Sequence, residues 1–215
     1  MANINLPIPL SSLLLMPVLL LLSSCARSPV INYYQLVSPE AGAPQKGSSI
    51  AVNAVLGLGP VKLPEYLDQP KIVSRLSANR LFLDDSHRWV EPLADNFTSV
   101  LKEELIELLH PRQIVTFPWP LSQEVDCQLV IQVLRFETTS DGTARLVANW
   151  MIRNRDGKLL QPEKQVSYLA KSTSTDYAAR VRALNEVLDQ FGHDLADELL
   201  PLLQKTATDG EIIGK

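Results

Sequence analysis

Two long runs of hydrophobic positions along the chain have helical spacing. The first run predicts a helix that ends at His110, with Pro92 in its first turn and Pro111 directly behind it. The second predicts a helix from about Asp176 to Leu203, capped by Ser174 or Thr175. The first stripe contains Trp89, Leu93, Phe97, Val100, Leu101, Leu105 and Leu108, with Glu103, Glu104 and Glu107 elsewhere on the wheel; the second contains Tyr177, Val181, Leu184, Leu188, Phe191, Leu195, Leu199 and Leu202.

Shorter apolar runs have the spacing of β-strands. Residues 145–154 have the alternation of a strand, with Leu146, Ala148, Trp150 and Ile152 on one face and Arg145, Asn149 and Arg153 on the other. The turn at Asp156-Gly157 predicts a hairpin with residues 158–170. Residues 127–136 are apolar at both alternating sets of positions, as in a strand covered on both faces. Further strands are predicted at residues 31–37, 50–58, 71–76, 80–84 and 113–117, with the third and fourth joined as a hairpin.

These elements predict the fold class. Strands in the middle of the chain and two long amphipathic helices indicate a single α/β domain, with a mixed β-sheet covered by helices on both faces. The domain is expected to span residues 31–204, followed by a flexible tail at 205–215. The length of 215 residues suits one domain, and 46% hydrophobic with 20% charged residues is typical of a folded chain.

The N-terminal segment has a different character. Residues 1–24 carry no charged side chain, and their apolar core, Leu13 to Leu22, has the length of a secretory signal rather than of a membrane span. The basic residues that usually precede such a core are absent. Leu22-Ser23-Ser24-Cys25 resembles the bacterial lipobox. This resemblance implies a signal peptide at 1–24 and a lipidated Cys25 that carries diacylglycerol and an N-acyl chain.

The residues around Cys25 also suggest where the mature chain resides. Ala26, in place of the aspartate of an inner-membrane retention signal, favours the periplasmic face of the outer membrane. Residues 25–30 form a short tether, whose reach is no more than roughly 20 Å at about 3.5 Å per residue. Cys127 is the only other cysteine, so no intramolecular disulfide forms once Cys25 is acylated, and its apolar surroundings predict a buried thiol.

Composition and motifs argue against several other classes of protein. The net charge of −4 and the lack of lysine or arginine runs give no footprint for nucleic acid or for a polybasic membrane patch. His87, His110 and His193 lack metal-ligand spacing, and neither a phosphate-binding loop nor a G-x-S-x-G turn occurs. We therefore expect no enzyme activity, no metal and no cofactor.

Four compact strings are unusual in their aromatic, proline and arginine content. They are YYQL at residues 33–36, GPVKLPEYLDQPKIVSR at 59–75, RWVEPL at 88–93 and PW at 118–119. In order and separation they resemble the ABC-type transport auxiliary lipoprotein family, in its PqiC-like branch, over about Cys25 to Gln204. The resemblance implies an α/β domain on a periplasmic subunit, tethered to the outer membrane, of a system that moves lipids between the two membranes.

The resemblance also implies partners. These are an MCE-domain protein of the PqiB type and, indirectly, a multi-pass inner-membrane protein or an ABC permease and ATPase. A ring-shaped partner makes a homo-oligomeric ring plausible. The proline-bracketed segment 59–70 is the preferred interface, although burial would equally explain its aromatic residues. The candidate partner interface comprises Tyr33, Tyr34, Lys62, Leu63, Tyr66, Leu67, Asp68, Arg75, Arg88, Trp89, Glu91 and Trp119.

Two other functions stay open at this point. A lipoprotein with a similar domain would activate a cell-wall synthase or assist envelope assembly. A lipid-binding carrier would hold a lipid in its own pocket.

Overall fold

The computed structural model describes residues 30–38 and 52–213, with side chains up to Lys205. The predicted signal peptide, Cys25 and most of the predicted tether lie outside the described residues. Residues Ile31–Lys215 group into one unit. In chain order the elements are β1 (Asn32–Tyr34), β2 (Val52–Lys62), β3 (Lys71–Ser77), β4 (Arg80–Trp89), α1 (Leu93–Leu109), β5 (Pro111–Thr116), β6 (Cys127–Thr139), β7 (Thr143–Asn154), β8 (Leu159–Lys171) and α2 (Tyr177–Ile213).

The described strands form one mixed eight-stranded sheet, which confirms the predicted class. The order is β1-β4-β3-β6-β2-β5, and β7 and β8 extend the sheet from the other edge of β6. Strands β2 and β3 both run parallel to β6, at residues 127–132 and 138–139 of β6, respectively. The β3–β4, β6–β7 and β7–β8 pairs are antiparallel, so both predicted hairpins are confirmed.

Both helices pack on the same face of the sheet, whereas the sequence indicated helices on both faces. The ring of Phe97 in α1 contacts Phe136 edge-on at 5.3 Å, and Phe191 in α2 lies 5.9 Å from Tyr168 in β8. The two helices also pack against each other. On this face Leu146, Ala148, Trp150 and Ile152 of β7 are buried as predicted, together with Ala54, Leu56, Leu58, Cys127, Leu129, Ile131 and Val133.

The opposite face of the sheet is only partly covered. In β7 its side chains, such as Asn149 and Met151, are half-buried, and Gln132 in β6 is exposed. The prediction that β6 is covered on both faces was therefore wrong for this position. The prediction rested on Val130 and Leu134, two apolar residues of β6 that are only half-buried.

The ends of the helices differ from the prediction. Helix α1 begins at Leu93 with Pro92 as its N-cap, and Trp89 instead ends β4, where it is buried. A proline restricts the residue before it to extended backbone, which separates the strand from the helix. Helix α1 closes at His110, whose left-handed backbone (φ 45°) lets its N–H bond the Ile106 carbonyl at 3.0 Å.

Helix α2 is capped by Asp176, not by Ser174 or Thr175. The Asp176 carboxylate accepts the Ala179 N–H at 2.7 Å, and the Ser174 hydroxyl contacts the same carboxylate. The helix continues to Ile213, beyond the predicted end at Leu203, so residues 205–213 of the segment predicted as a tail are helical. Among the described residues no helix is long and apolar enough to cross a membrane.

A carboxyl group is buried where the two helices meet. Glu104 of α1 is 4% exposed, and its side-chain oxygens have no hydrogen-bond partner. A Cβ atom on Gly192 of α2 would overlap this carboxyl, so glycine is required for the close approach. Burial, together with the charges of Asp189, Glu103 and Glu107, raises the pKa of Glu104 to about 8. Helical periodicity had placed Glu104 off the apolar stripe; the close packing of α2 buries it.

We expect this carboxyl to make stability depend on pH. Its pKa is 4.5 when exposed and about 8 in the fold. Between these values the folded chain holds a proton that the unfolded chain has lost, so stability falls as the pH rises, by about 1.4 kcal/mol per pH unit at most. Denaturant unfolding of the mature chain across this pH range should show the loss, and Glu104→Gln should remove most of it. The exposed Glu186→Gln variant of α2 is the control and should keep the wild-type slope; equal slopes for wild type and Glu104→Gln would contradict the assignment.

Candidate functional site

Three of the unusual strings meet at one corner of the domain. Strand β1 pairs in parallel with the end of β4, Tyr33 with Arg88 and Tyr34 with Trp89. The Val90 N–H donates to the Tyr34 carbonyl at 2.9 Å, and the Trp89 N–H donates to the Pro70 carbonyl at 2.7 Å. We call residues 33–36, 68–70 and 88–92 the motif corner.

Side chains reinforce the backbone contacts of the motif corner. The buried Asn96 amide in α1 accepts the Leu36 N–H at 2.6 Å and donates to the Leu36 carbonyl at 3.1 Å. The Gln35 amide donates to Glu91 at 3.0 Å. A buried amide that satisfies both polar groups of one residue holds the backbone after β1 against the helix layer.

An open groove of about 310 Å³ lies at the motif corner. Asp68 and Glu91 place carboxylates along a lining that is otherwise largely apolar or neutral. The groove brings together residues of the second and third strings, which lie about twenty positions apart in the chain. Its lining consists of Asp68, Gln69, Pro70, Trp89, Val90, Glu91 and Pro92.

A buried ion pair fixes the turn that leads into the motif corner. Glu137 in β6 is 1% exposed and pairs with Arg75 Nε in β3 at 2.6 Å. The Tyr66 hydroxyl donates to the other Glu137 oxygen at 2.6 Å. Burial and the Glu137 carboxylate raise the pKa of Tyr66, so it stays a hydrogen-bond donor. These contacts give Tyr66 and Arg75 internal roles.

A second internal cluster surrounds Tyr34. Its ring lies 5.7 Å from the His87 ring and 6.2 Å from that of Tyr177 in α2, and His87 stacks on Tyr177 at 3.8 Å. The Tyr177 hydroxyl donates to Asp84 at 2.8 Å. Burial, then Asp84, raises the pKa of Tyr177 to about 12. Tyr34 therefore joins β1 to the start of α2.

Trp119 of the fourth string lies away from the motif corner, over the open face of β2. A Cβ atom on Gly57 would come within 2.7 Å of its indole, so the missing side chain lets the ring approach the strand closely. Phe117 contacts Trp119 edge-on at 5.5 Å. Two residues beyond the indole, Leu121 is fully exposed.

The structure thus divides the twelve candidate interface residues by exposure. Glu137 joins two of them, Tyr66 and Arg75, and Asn96 holds the neighbouring Leu36 backbone; the sequence analysis missed both. Metal binding finds no support in the described part of the chain, which holds no cluster of potential ligands. Leu67 and Trp89 are buried; Tyr34, Leu63, Tyr66, Arg75, Arg88, Glu91 and Trp119 are half-buried; Tyr33, Lys62 and Asp68 are exposed.

Solved structures share this fold. Protein XCC0632 from Xanthomonas campestris matches with a TM-score of 0.64 at 20% identity, over 84% of this chain and 97% of that protein. A second crystal structure, of an uncharacterized protein, matches with a TM-score of 0.64 at 22% identity, over 79% of this chain and 99% of the other. The described residues therefore form a mixed α/β domain, with one mixed sheet and two helices.

The sequence comparisons give the family. Residues 34–196 match the family model of the ABC-type transport auxiliary lipoprotein component, and the chain belongs to this family. The intermembrane transport lipoprotein PqiC of Escherichia coli (strain K12) is 24% identical over 168 residues, which cover 78% of this chain and 86% of that protein. PqiC of Shigella flexneri matches to the same extent. The chain is a PqiC-like auxiliary lipoprotein, as the sequence motifs had indicated.

We expect the turn at 64–69 to depend on the Arg75–Glu137 pair. Arg75→Met leaves Glu137 buried without its cation and should cost about 3 kcal/mol of unfolding free energy. Adding Glu137→Gln should recover part of that loss. The control is Lys164→Met, which breaks the exposed Lys164–Glu198 pair of 2.7 Å and should cost less than about 1 kcal/mol. Denaturant unfolding measures all three, and equal costs for Arg75→Met and Lys164→Met would contradict the role of the buried pair.

Proposed function

We propose that this protein is a lipid-anchored periplasmic subunit of an intermembrane lipid transport system, which docks the tunnel of an MCE-domain protein of the PqiB type to the outer membrane. Cys25 carries the anchor, on the periplasmic face. The observation that carries the proposal is membership of the auxiliary lipoprotein family over residues 34–196, together with the likeness to a relative named as an intermembrane transport lipoprotein.

The outer side of the turn between β2 and β3 supplies a suitable docking surface. Lys62 and Asp68 are exposed at its two ends, and Leu63 is half-buried between them. The turn is held from beneath by the buried Leu67 and by the Tyr66 hydroxyl on Glu137. A segment already ordered in this way loses little conformational entropy when a partner binds.

The described grooves favour docking over lipid carriage. The motif-corner groove and two others hold about 220–370 Å³ each, and all are open to solvent. The largest of the three is lined by Lys164, Asp194, Asp197 and Glu198 beside its apolar residues. Small-molecule sites bury most of their ligand, which grooves this open to solvent do not do.

The remaining partners follow from the same proposal. A multi-pass inner-membrane protein, or an ABC permease with its ATPase, completes the system at the other end of the tunnel. Because a tunnel built from a ring of subunits offers several equivalent docking sites, copies of this lipoprotein would form a homo-oligomeric ring around its tip.

Site-specific photo-crosslinking tests the docking surface. A photoreactive residue at position 62 or 68 of the full-length chain, expressed in cells with its transport partners, should give a crosslink to the MCE protein. The controls are positions 165 and 182, which are equally exposed but lie on β8 and α2. They should give no MCE crosslink.

The products distinguish the proposed function from the alternatives. Capture of a second lipoprotein copy at positions 62 and 68 would show that the turn is a ring contact. Co-purification of a cell-wall synthase in place of an MCE protein would overturn the transport role. Bound phospholipid in the delipidated soluble domain, detected by mass spectrometry, would instead support a carrier.

A further inference from the structure

Exposed apolar side chains concentrate around β1. Ile31, Tyr33 and Val37 are 38%, 60% and 54% exposed, and Val90, beside them in the motif corner, is 57% exposed. Soluble surfaces carry single exposed apolar residues routinely, but grouped ones require a partner.

Strand geometry places three of these side chains on one side. Side chains alternate along a strand, so Ile31 and Tyr33 project opposite to Tyr34, whose ring faces His87 and Tyr177. Tyr33 pairs in register with Arg88, and Val90 follows two residues later, directly hydrogen-bonded to β1. Ile31, Tyr33 and Val90 therefore form one patch on the outer side of the sheet edge, which we call the edge patch. Val37 lies three residues beyond the end of β1, where its N–H donates to the Asn185 side chain of α2, and we do not include it in the edge patch.

The charged side chains around the edge patch are balanced in number. Lys71 pairs in register with Arg88, and its ammonium lies 2.5 Å from the Asp85 carboxylate. The Arg88 guanidinium donates to the Asp85 backbone carbonyl at 3.3 Å, and the Glu91 carboxylate accepts from the neutral Gln35 amide at 3.0 Å. Two cations and two anions give no net charge, so this surface favours an occupant that offers apolar contact beside polar groups.

We propose that the edge patch rests in the interfacial layer of the bilayer that holds the lipid anchor. This inference relies on lipidation of Cys25 from the proposed function. Five residues separate Cys25 from Ile31, and a fully extended segment of this length spans roughly 20 Å. Such a tether keeps β1 within roughly 20 Å of the lipidated residue at the membrane surface. Among possible occupants, the bilayer is the one that the covalent structure brings to this surface.

Weak intrinsic affinity is sufficient for this contact. Tyrosine prefers the membrane–water interface, where its ring meets the acyl boundary and its hydroxyl stays hydrated. Ile31 and Val90 add apolar area next to the ring. The anchor makes the contact intramolecular, so that a high effective concentration compensates for the small area. Docking of the edge patch would also fix how the rest of the domain, including the turn at 63–68, is oriented above the membrane.

Fluorescence quenching by lipids tests the contact on the full lipidated chain. A single surface cysteine can be labelled selectively, because Cys25 is acylated and Cys127 is fully buried. Val90→Cys and Ile31→Cys variants would carry an environment-sensitive dye, with Ile106→Cys and Leu159→Cys as exposed apolar controls on α1 and β8. Each is reconstituted into vesicles of phosphatidylethanolamine and phosphatidylglycerol with a bromine-labelled acyl chain.

We expect quenching at positions 31 and 90 to exceed that at positions 106 and 159 by at least about twofold. The quenching should not change with salt concentration. It should fall when Tyr33→Ser is added to the Val90→Cys variant. Equal quenching at all four positions on floating vesicles would overturn the membrane contact and leave the proposed function intact. A chain that does not float lacks the anchor, which overturns both. Crosslinking of position 33 to a second copy, with no lipid quenching, would identify the edge patch as a protein interface and likewise overturn the membrane contact.

Discussion

Strand β6 is the element on which the rest of the domain depends, because a single edge of it holds two strands. With β7 paired along the whole other edge, β2 and β3 must share this one, and both run parallel to β6. The chain that links them therefore continues along the same edge instead of crossing over a face of the sheet. Residues 63–70 fill this short interval, and a proline at each end shapes the turn.

This constraint explains why motifs distant in sequence meet in space. The turn reaches Pro70 just where β4, returning antiparallel to β3, reaches Trp89, so that one backbone bond joins the two strings. Strand β1 then adds to β4 and brings the first string to the same corner. The Glu137 carboxylate, projecting from β6 itself, holds Tyr66 and Arg75 and thus ties the turn to the strand that created the space for it.

Local patterns predicted the elements that depend on local physics, and failed where packing partners decide. The buried face of alternating apolar residues in β7 and the Asp156-Gly157 turn were sufficient to predict that strand and its hairpin. Trp89 fits the helical spacing of α1 equally well, and only Pro92 determines that it ends a strand. Glu104 is buried by a helix about ninety residues away, which no pattern within α1 can reveal. For the site, the motifs indicated the right segments, but burial of Leu67 and the internal partners of Tyr66 required the sheet.

The amide of Asn96 has a mechanical consequence. In the lipid-anchored chain proposed above, a pull between membrane and domain would enter through the short strand β1, whose three residues offer few hydrogen bonds. Directly after β1, the Asn96 amide binds both the N–H and the carbonyl of Leu36, and the Leu36 side chain is buried. A load that separates β1 from β4 would next meet these contacts, which connect the chain to helix α1.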